Sequence, residues 1–287
     1  MSNTTSSSRS TFVLLSVVAV IFAVLFITNY LSRNVSESDE KNRTATATSA
    51  TAPSATAPSG DANSTATLPS SNGGVLDTQS LKGKAFLEQK NYEAAIGEFS
   101  RLASEQPQSA VMHYNLGVAY LQKGDTEKGI AAFEKALSID PNFAESYFSL
   151  GVGYDQLKQT DKAIAAFLKH SQLAPRDRRT WLRLGTLYDT QKQYAESIAA
   201  YNKAVEIDPK YAVAWYNMGN AYLHQKQVDA AMTAYQKAID ADPTYPKPYV
   251  NLANCWQQKG DNAMAQKLLQ KALSLDPSLQ SKVSKKP

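Results

Sequence analysis

Proline recurs in this chain at Pro107, Pro141, Pro175, Pro209, Pro243 and Pro277, each 34 residues after the last. A fixed period of that length marks a chain assembled from repeated supersecondary units. Other residues keep the same register. A small residue recurs at Gly83, Gly117, Gly151, Gly185, Gly219 and Ala253, and three residues after each comes an aromatic, at Phe86, Tyr120, Tyr154, Tyr188, Tyr222 and Trp256. A second small residue stands at Ala95, Gly129, Ala163, Ser197, Ala231 and Ala265, with a large one four residues on at Phe99, Phe133, Phe167, Tyr201, Tyr235 and Leu269. Aspartate precedes four of the prolines, at Asp140, Asp208, Asp242 and Asp276.

Two helices of about 12 to 14 residues fit within each unit. In the second unit the first helix is predicted from Val111 to Gln122, with a break at Lys123-Gly124-Asp125 and a second helix running to Ile139. Gly117 and Gly129 carry no side chain between the paired axes and so allow close approach. Leu116, Tyr120 and Phe133 are expected to fill the space between the two helices. Pro141 lacks an N–H and disfavours helix at the residue before it, which ends the second helix. One helical hairpin cannot bury its apolar face alone, whereas stacked hairpins can. The expected fold is therefore an all-α solenoid.

The pattern resembles the tetratricopeptide repeat in every unit, from about Leu76 to Pro277. The resemblance implies six helix pairs in a right-handed superhelix, with the first helix of each pair lining a concave face. The first unit departs most, with Lys82 where the others carry Leu116, Leu150, Leu184, Met218 and Leu252. His170 replaces the small residue found at Ala136, Ala204, Ala238 and Ala272.

From the same resemblance, one stripe of the concave groove is Tyr114, Phe148, Leu182, Tyr216 and Val250. Beside it run Asn115, Ser149, Arg183, Asn217 and Asn251, then Val118, Val152, Thr186, Asn220 and Asn254. An apolar ladder beside an amide ladder suits an extended peptide, because asparagine offers both a donor and an acceptor to a peptide backbone. Tyr114, Phe148 and Tyr216 are expected to be more exposed than Tyr120, Tyr154 and Tyr222. The two sets lie roughly 120° apart around the helix, so that one faces the core and the other the partner. Some family members clamp a partner's terminal carboxylate with Lys, Asn and Arg from three successive units. Asn217, Lys247 and Asn251 match that set in part, as do Arg179 and Arg183, but Leu182, Thr186, Tyr114 and Val118 occupy the places of the preceding Lys and Asn. No such clamp is expected. Arg176, Arg178, Arg179 and Arg183 form the densest positive patch, fit either for an acidic segment or for solvent.

Ahead of the repeats, Phe12 to Ile27 reads FVLLSVVAVIFAVLFI, with Ser16 its one polar residue. Residues 11–31 match the length a helix needs to cross a bilayer. A cleaved signal peptide is the rival, but Thr28-Asn29-Tyr30-Leu31-Ser32-Arg33 offers no convincing cleavage site. Residues 1–33 are thus read as a tail and anchor. Residues 34–75, rich in Ser, Thr, Ala and Pro, hold almost no large apolar residue and are expected to remain a disordered tether. Residues 76–277 are the repeats and 278–287 a basic tail. The basic residues Arg33, Lys41 and Arg43 after the run favour a cytoplasmic solenoid; the short N-terminal tail and the linker composition favour export. The expectation is a single-pass membrane protein with its solenoid outside the cytoplasm.

A formal net charge of +4 does not call for a nucleic acid. The single cysteine, Cys255, precludes an internal disulfide. His113, His170 and His224 fall at different phases of the repeat, without metal-ligand spacing or a neighbouring nucleophile. No enzyme, cofactor or small-molecule substrate is expected. Two functions compete. One is a membrane-tethered adaptor that binds a protein or extended peptide in its groove; the other is a structural subunit packed into a larger complex through its ends or convex face.

Overall fold

The computed structural model describes residues 78–280. The apolar run, the tether and the basic tail lie outside the described residues. Among the described residues no helix is long and apolar enough to cross a membrane.

Twelve α-helices among the described residues form six successive pairs: α1 (Thr78–Glu88) with α2 (Tyr92–Glu105), α3 (Ala110–Lys123) with α4 (Thr126–Ile139), α5 (Ala144–Gln156) with α6 (Thr160–Leu173), α7 (Arg178–Thr190) with α8 (Tyr194–Ile207), α9 (Ala212–His224) with α10 (Val228–Ala241), and α11 (Pro246–Gln258) with α12 (Asn262–Leu275). A 3₁₀ turn, Pro277–Leu279, closes the array. Each helix packs mainly on its neighbours in sequence, as a quasi-one-dimensional solenoid requires. Next-but-one contacts join α3 to α5 and α7 to α9, which are first helices of their pairs. An array whose first helices approach one another curves toward them, so they line its inner face.

The prolines stand two residues beyond the second helices, as expected from the missing N–H. They also serve in a way the repeat pattern did not announce. The carbonyl of Pro175 accepts from Trp181 Nε1 at 3.0 Å, that of Pro209 from Trp215 Nε1 at 2.9 Å, and that of Pro243 from the Tyr249 hydroxyl at 3.0 Å. His113 Nε2 lies 3.1 Å from the Pro107 carbonyl at the equivalent place. Each bond ties the next first helix to the loop that enters it.

The glycines are fixed by aromatic rings. A Cβ on Gly117 would stand 2.6 Å from the Phe133 ring, and one on Gly151 2.7 Å from that of Phe167. The same holds for Gly185 against Tyr201 and Gly219 against Tyr235. Gly117 and Gly129 do approach closely: a Cβ on either would come within 3.1 Å of the other's carbonyl oxygen. Phe133 is fully buried, whereas Leu116 and Tyr120 are only half-buried, so Phe133 carries most of the space-filling assigned to the three. The sixth unit pairs Ala253 with Leu269, relaxing both partners together. Gly151→Ala is accordingly expected to cost about 1–3 kcal/mol through overpacking. Adding Phe167→Leu, which recreates the sixth unit's pairing, should recover part of that loss. A double-mutant cycle by denaturant unfolding checks this; strict additivity of the two changes counts against the lock.

His170 departs from the repeat because it has its own partner. Its Nδ1 lies 2.6 Å from the hydroxyl of Thr180, its ring meets Phe148 at 5.3 Å, and it is buried. Desolvation lowers its pKa, which keeps the imidazole neutral in this seam.

Candidate interaction groove

The first helices supply every residue expected to line the groove, but the structure divides them into two groups. Tyr114, Asn115, Val118, Phe148, Ser149 and Leu182 are buried. Arg183, Tyr216, Asn217, Asn220, Asn251 and Asn254 are half-buried, and Arg179 and Lys247 exposed. The groove floor is thus sealed over units two and three, mixed in unit four, where Leu182 is buried and Arg183 half-buried, and open over units five and six.

The expected order of exposure is therefore reversed in the N-terminal units. Tyr114 is 1% exposed and Phe148 4%, while Tyr120 and Tyr154 are half-buried. Each inner-stripe ring is held on two sides. Tyr114 meets Phe133 at 5.6 Å and Phe143 at 5.1 Å; Phe143 comes from the loop that enters the third unit. Phe148 meets Phe167 at 5.4 Å, and the Arg179 guanidinium covers it at 4.8 Å. The stripe containing Tyr120 and Tyr154 lies nearer the rim. The Tyr154 hydroxyl donates to Glu134 Oε1 at 2.9 Å, and Lys162 lies 5.4 Å over its ring. Tyr216 repeats the Tyr114 arrangement, meeting Tyr235 at 5.9 Å and Tyr245 at 5.4 Å, yet stays half-buried.

The amide ladder is also divided. Asn115 is fully buried, and neither its Oδ1 nor its Nδ2 has a hydrogen-bond partner among the described residues. In the open half the amides bond to one another. Asn251 Nδ2 donates to Asn220 Oδ1 at 2.9 Å, with longer approaches of 3.4 Å to the hydroxyls of Tyr216 and Tyr235. The Tyr235 hydroxyl donates to the same Asn220 oxygen at 2.7 Å. In the fourth unit the Tyr201 hydroxyl donates to Thr186 Oγ1 at 3.3 Å.

Tyr201 and Tyr235 are participants that the groove stripes omitted, because they belong to second helices. Their signal was in the sequence: the large residue of the second helix is Phe at 99, 133 and 167 and Tyr at 201 and 235. Past the network, a cavity of about 560 Å³ opens beside Leu223, Asn251, Asn254, Cys255, Gln257 and Gln258. Four carboxamides, Leu223 and Cys255 give it a neutral, mixed lining. Cys255 is buried, and burial raises its pKa, which suits a small core thiol.

The arginine patch is largely neutralised by the chain itself. Arg178 bonds Asp208 and lies 4.7 Å over Tyr211. Arg179 bonds both carboxylate oxygens of Asp177, through Nε at 3.0 Å and Nη2 at 2.7 Å. Arg183 is half-buried, and desolvation lowers its pKa. No group of three or more His, Cys, Asp or Glu able to hold a metal ion occurs among the described residues.

Models of the tetratricopeptide repeat match residues 80–144, 148–212 and 182–246, and a further one matches 229–284. No curated protein matches the chain. Among solved structures, MamA is 27% identical, with a TM-score of 0.55 over 58% of this chain and 97% of its own. YrrB, described as a protein of this repeat with an unusual peptide-binding site, is 21% identical at a TM-score of 0.55, over 64% of this chain and 97% of its own. PilF of Pseudomonas aeruginosa is 19% identical at a TM-score of 0.62, over 73% of this chain and 97% of its own. The latter two likenesses bear on the fold alone. With family models spanning most of the described residues and an array of helix pairs in matching register, this chain belongs to the tetratricopeptide-repeat family.

Proposed function

We propose that this chain is a membrane-tethered interaction module that binds an extended segment of a protein partner along the open half of its groove. The family is one of protein-interaction scaffolds, and the observation that carries the reading is the shift from a sealed floor to an open one rich in carboxamides. Over units two and three the chain's own rings fill the floor. Over units five and six, the half-buried amides of Asn251 and Asn254 line a cavity with no charged residue in its wall. Such a floor pairs with peptide groups and has no cluster of unpaired cations to seize a terminal carboxylate. The ion pairs of Arg178 and Arg179 remove two of the charges that would favour an acidic partner.

Residues 11–31 anchor the chain, residues 34–75 form a tether of about 35 Å root-mean-square length, and the solenoid lies outside the cytoplasm. The alternative of a structural subunit assigns binding to the ends or the convex face. Affinity capture from the native membrane, with the full chain and with Asn217→Ala/Asn254→Ala as baits, separates the two. The adaptor reading expects partners captured by the full chain to be depleted with the double variant, at unchanged thermal stability. Retention of every partner sinks it. Removing residues 1–33 should release the protein from carbonate-washed membranes; continued sedimentation with them contradicts the anchor.

A further inference from the structure

We propose that Tyr235 is a positioning residue for the groove: its hydroxyl, delivered from the second helix of the fifth pair, sets the carboxamides of Asn220 and Asn251 for a peptide group. This inference rests on the groove reading above and adds a determinant outside the groove helices. The Tyr235 ring is fully buried, and its packing duty is discharged equally by Phe99, Phe133 and Phe167 at the same place in other units. Its hydroxyl is therefore surplus to packing, and it is spent on the groove. It donates to Asn220 Oδ1 at 2.7 Å, and Asn251 Nδ2 donates to that same oxygen at 2.9 Å.

The consequence is an orientation. An amide has one acceptor and one donor end, and each is assigned by what it bonds. Asn220 turns its oxygen to the tyrosine, which leaves its Nδ2 for a ligand. Asn251 turns its nitrogen to the same oxygen, which leaves its Oδ1. Both side chains are half-buried, so these remaining ends are reachable from the groove. A donor on one helix and an acceptor on the next then match the C=O and N–H of an extended chain. Remove the hydroxyl, and the Asn220 oxygen loses its shorter bond and the pair loses the group that fixes its sense.

The second unit supplies the contrast within the molecule. Asn115 holds the place in α3 that Asn251 holds in α11, 136 residues later, and the residue equivalent to Tyr235 is Phe99. There the carboxamide has no partner among the described residues. In the second unit the hydroxyl is missing and Lys84 takes the place of Asn220, so the Asn115 carboxamide has neither group to bond.

The test uses the full chain in mild detergent, with ¹⁵N in its asparagine side chains. In the wild type, Asn220 and Asn251 side-chain amides should be more ordered by relaxation than exposed Asn202. Tyr235→Phe should bring both close to Asn202 and leave the melting temperature little changed, since phenylalanine already serves at three equivalent places. Amides that stay ordered in the variant overturn the proposal. In a second arm, blocked uncharged peptides are selected from a random library on the wild-type chain, and those abolished by Asn251→Ala are kept. Tyr235→Phe should weaken them roughly five- to tenfold, the scale of one hydrogen bond. Unchanged affinity overturns the positioning role even if order is lost. If no selected peptide depends on Asn220 or Asn251, the groove reading itself fails and the proposal falls with it; the relaxation data then show separately whether the hydroxyl holds the amides.

Discussion

Tyr114→Ala is expected to cost about 3–5 kcal/mol of stability, the range for deleting a buried aromatic side chain. The ring is 1% exposed and contacts Phe133 and Phe143, so its removal opens a hole that joins the second and third units. Tyr120→Ala, six residues along the same helix, should cost clearly less, because Tyr120 is only half-buried. Tyr216→Ala should fall between them: the same arrangement of rings holds it, but one side stays open. Denaturant unfolding of the three variants checks the order. In a solenoid each unit draws its stability from its neighbours, so the damage from Tyr114→Ala should spread from the seam between the second and third pairs. Hydrogen exchange should report it first in α3 to α5. Equal costs for Tyr114→Ala and Tyr120→Ala contradict the account of which ring is core.

The repeat period placed the helix pairs because a 34-residue recurrence of proline and small residues admits few arrangements of two helices. The second unit shows how close the reading comes: helices expected from Val111 and up to Ile139 are found from Ala110 and up to Ile139. The exposure of the groove was not legible in the same way. A helical wheel treats one helix as having an inside and an outside, whereas a first helix here is packed by its own partner, by the adjoining unit and by the entering loop. Phe143, a loop residue, is what covers Tyr114. No periodicity within α3 could announce it. The amides were legible as a ladder, but their bonding was not, since the hydroxyl of Tyr235 reaches them from another helix. That His170 replaces a small residue was legible in the repeat, but its partner was not, since Thr180 reaches it from the next helix.

Raising the pH from 10 to 12 is expected to remove several kcal/mol of stability, through the buried tyrosines. Burial pushes the pKa of Tyr114 and of Tyr201 up to about 12, and that of Tyr235 upward as well. The cause is desolvation: a phenolate in an apolar seam loses the water that stabilises its charge. In the unfolded chain these phenols titrate near 10. Below that value both states are protonated, and the contribution of the neutral phenols to stability is complete. As the pH passes 10 the unfolded state begins to lose protons while the folded state holds them, so unfolding is favoured. The contribution is gone once the pH exceeds the folded values. A shift of two units corresponds to about 2–3 kcal/mol for each of Tyr114 and Tyr201, and Tyr235 adds to it. Urea unfolding at intervals across this range, with phenolate absorbance followed in parallel, measures both the loss and its cause. Tyr201→Phe should flatten its share of the slope and leave the stability at neutral pH nearly unchanged, since Phe167 fills the same place one unit earlier. A slope unaffected by Tyr201→Phe and by Tyr114→Phe alike contradicts the assignment of alkaline unfolding to these rings.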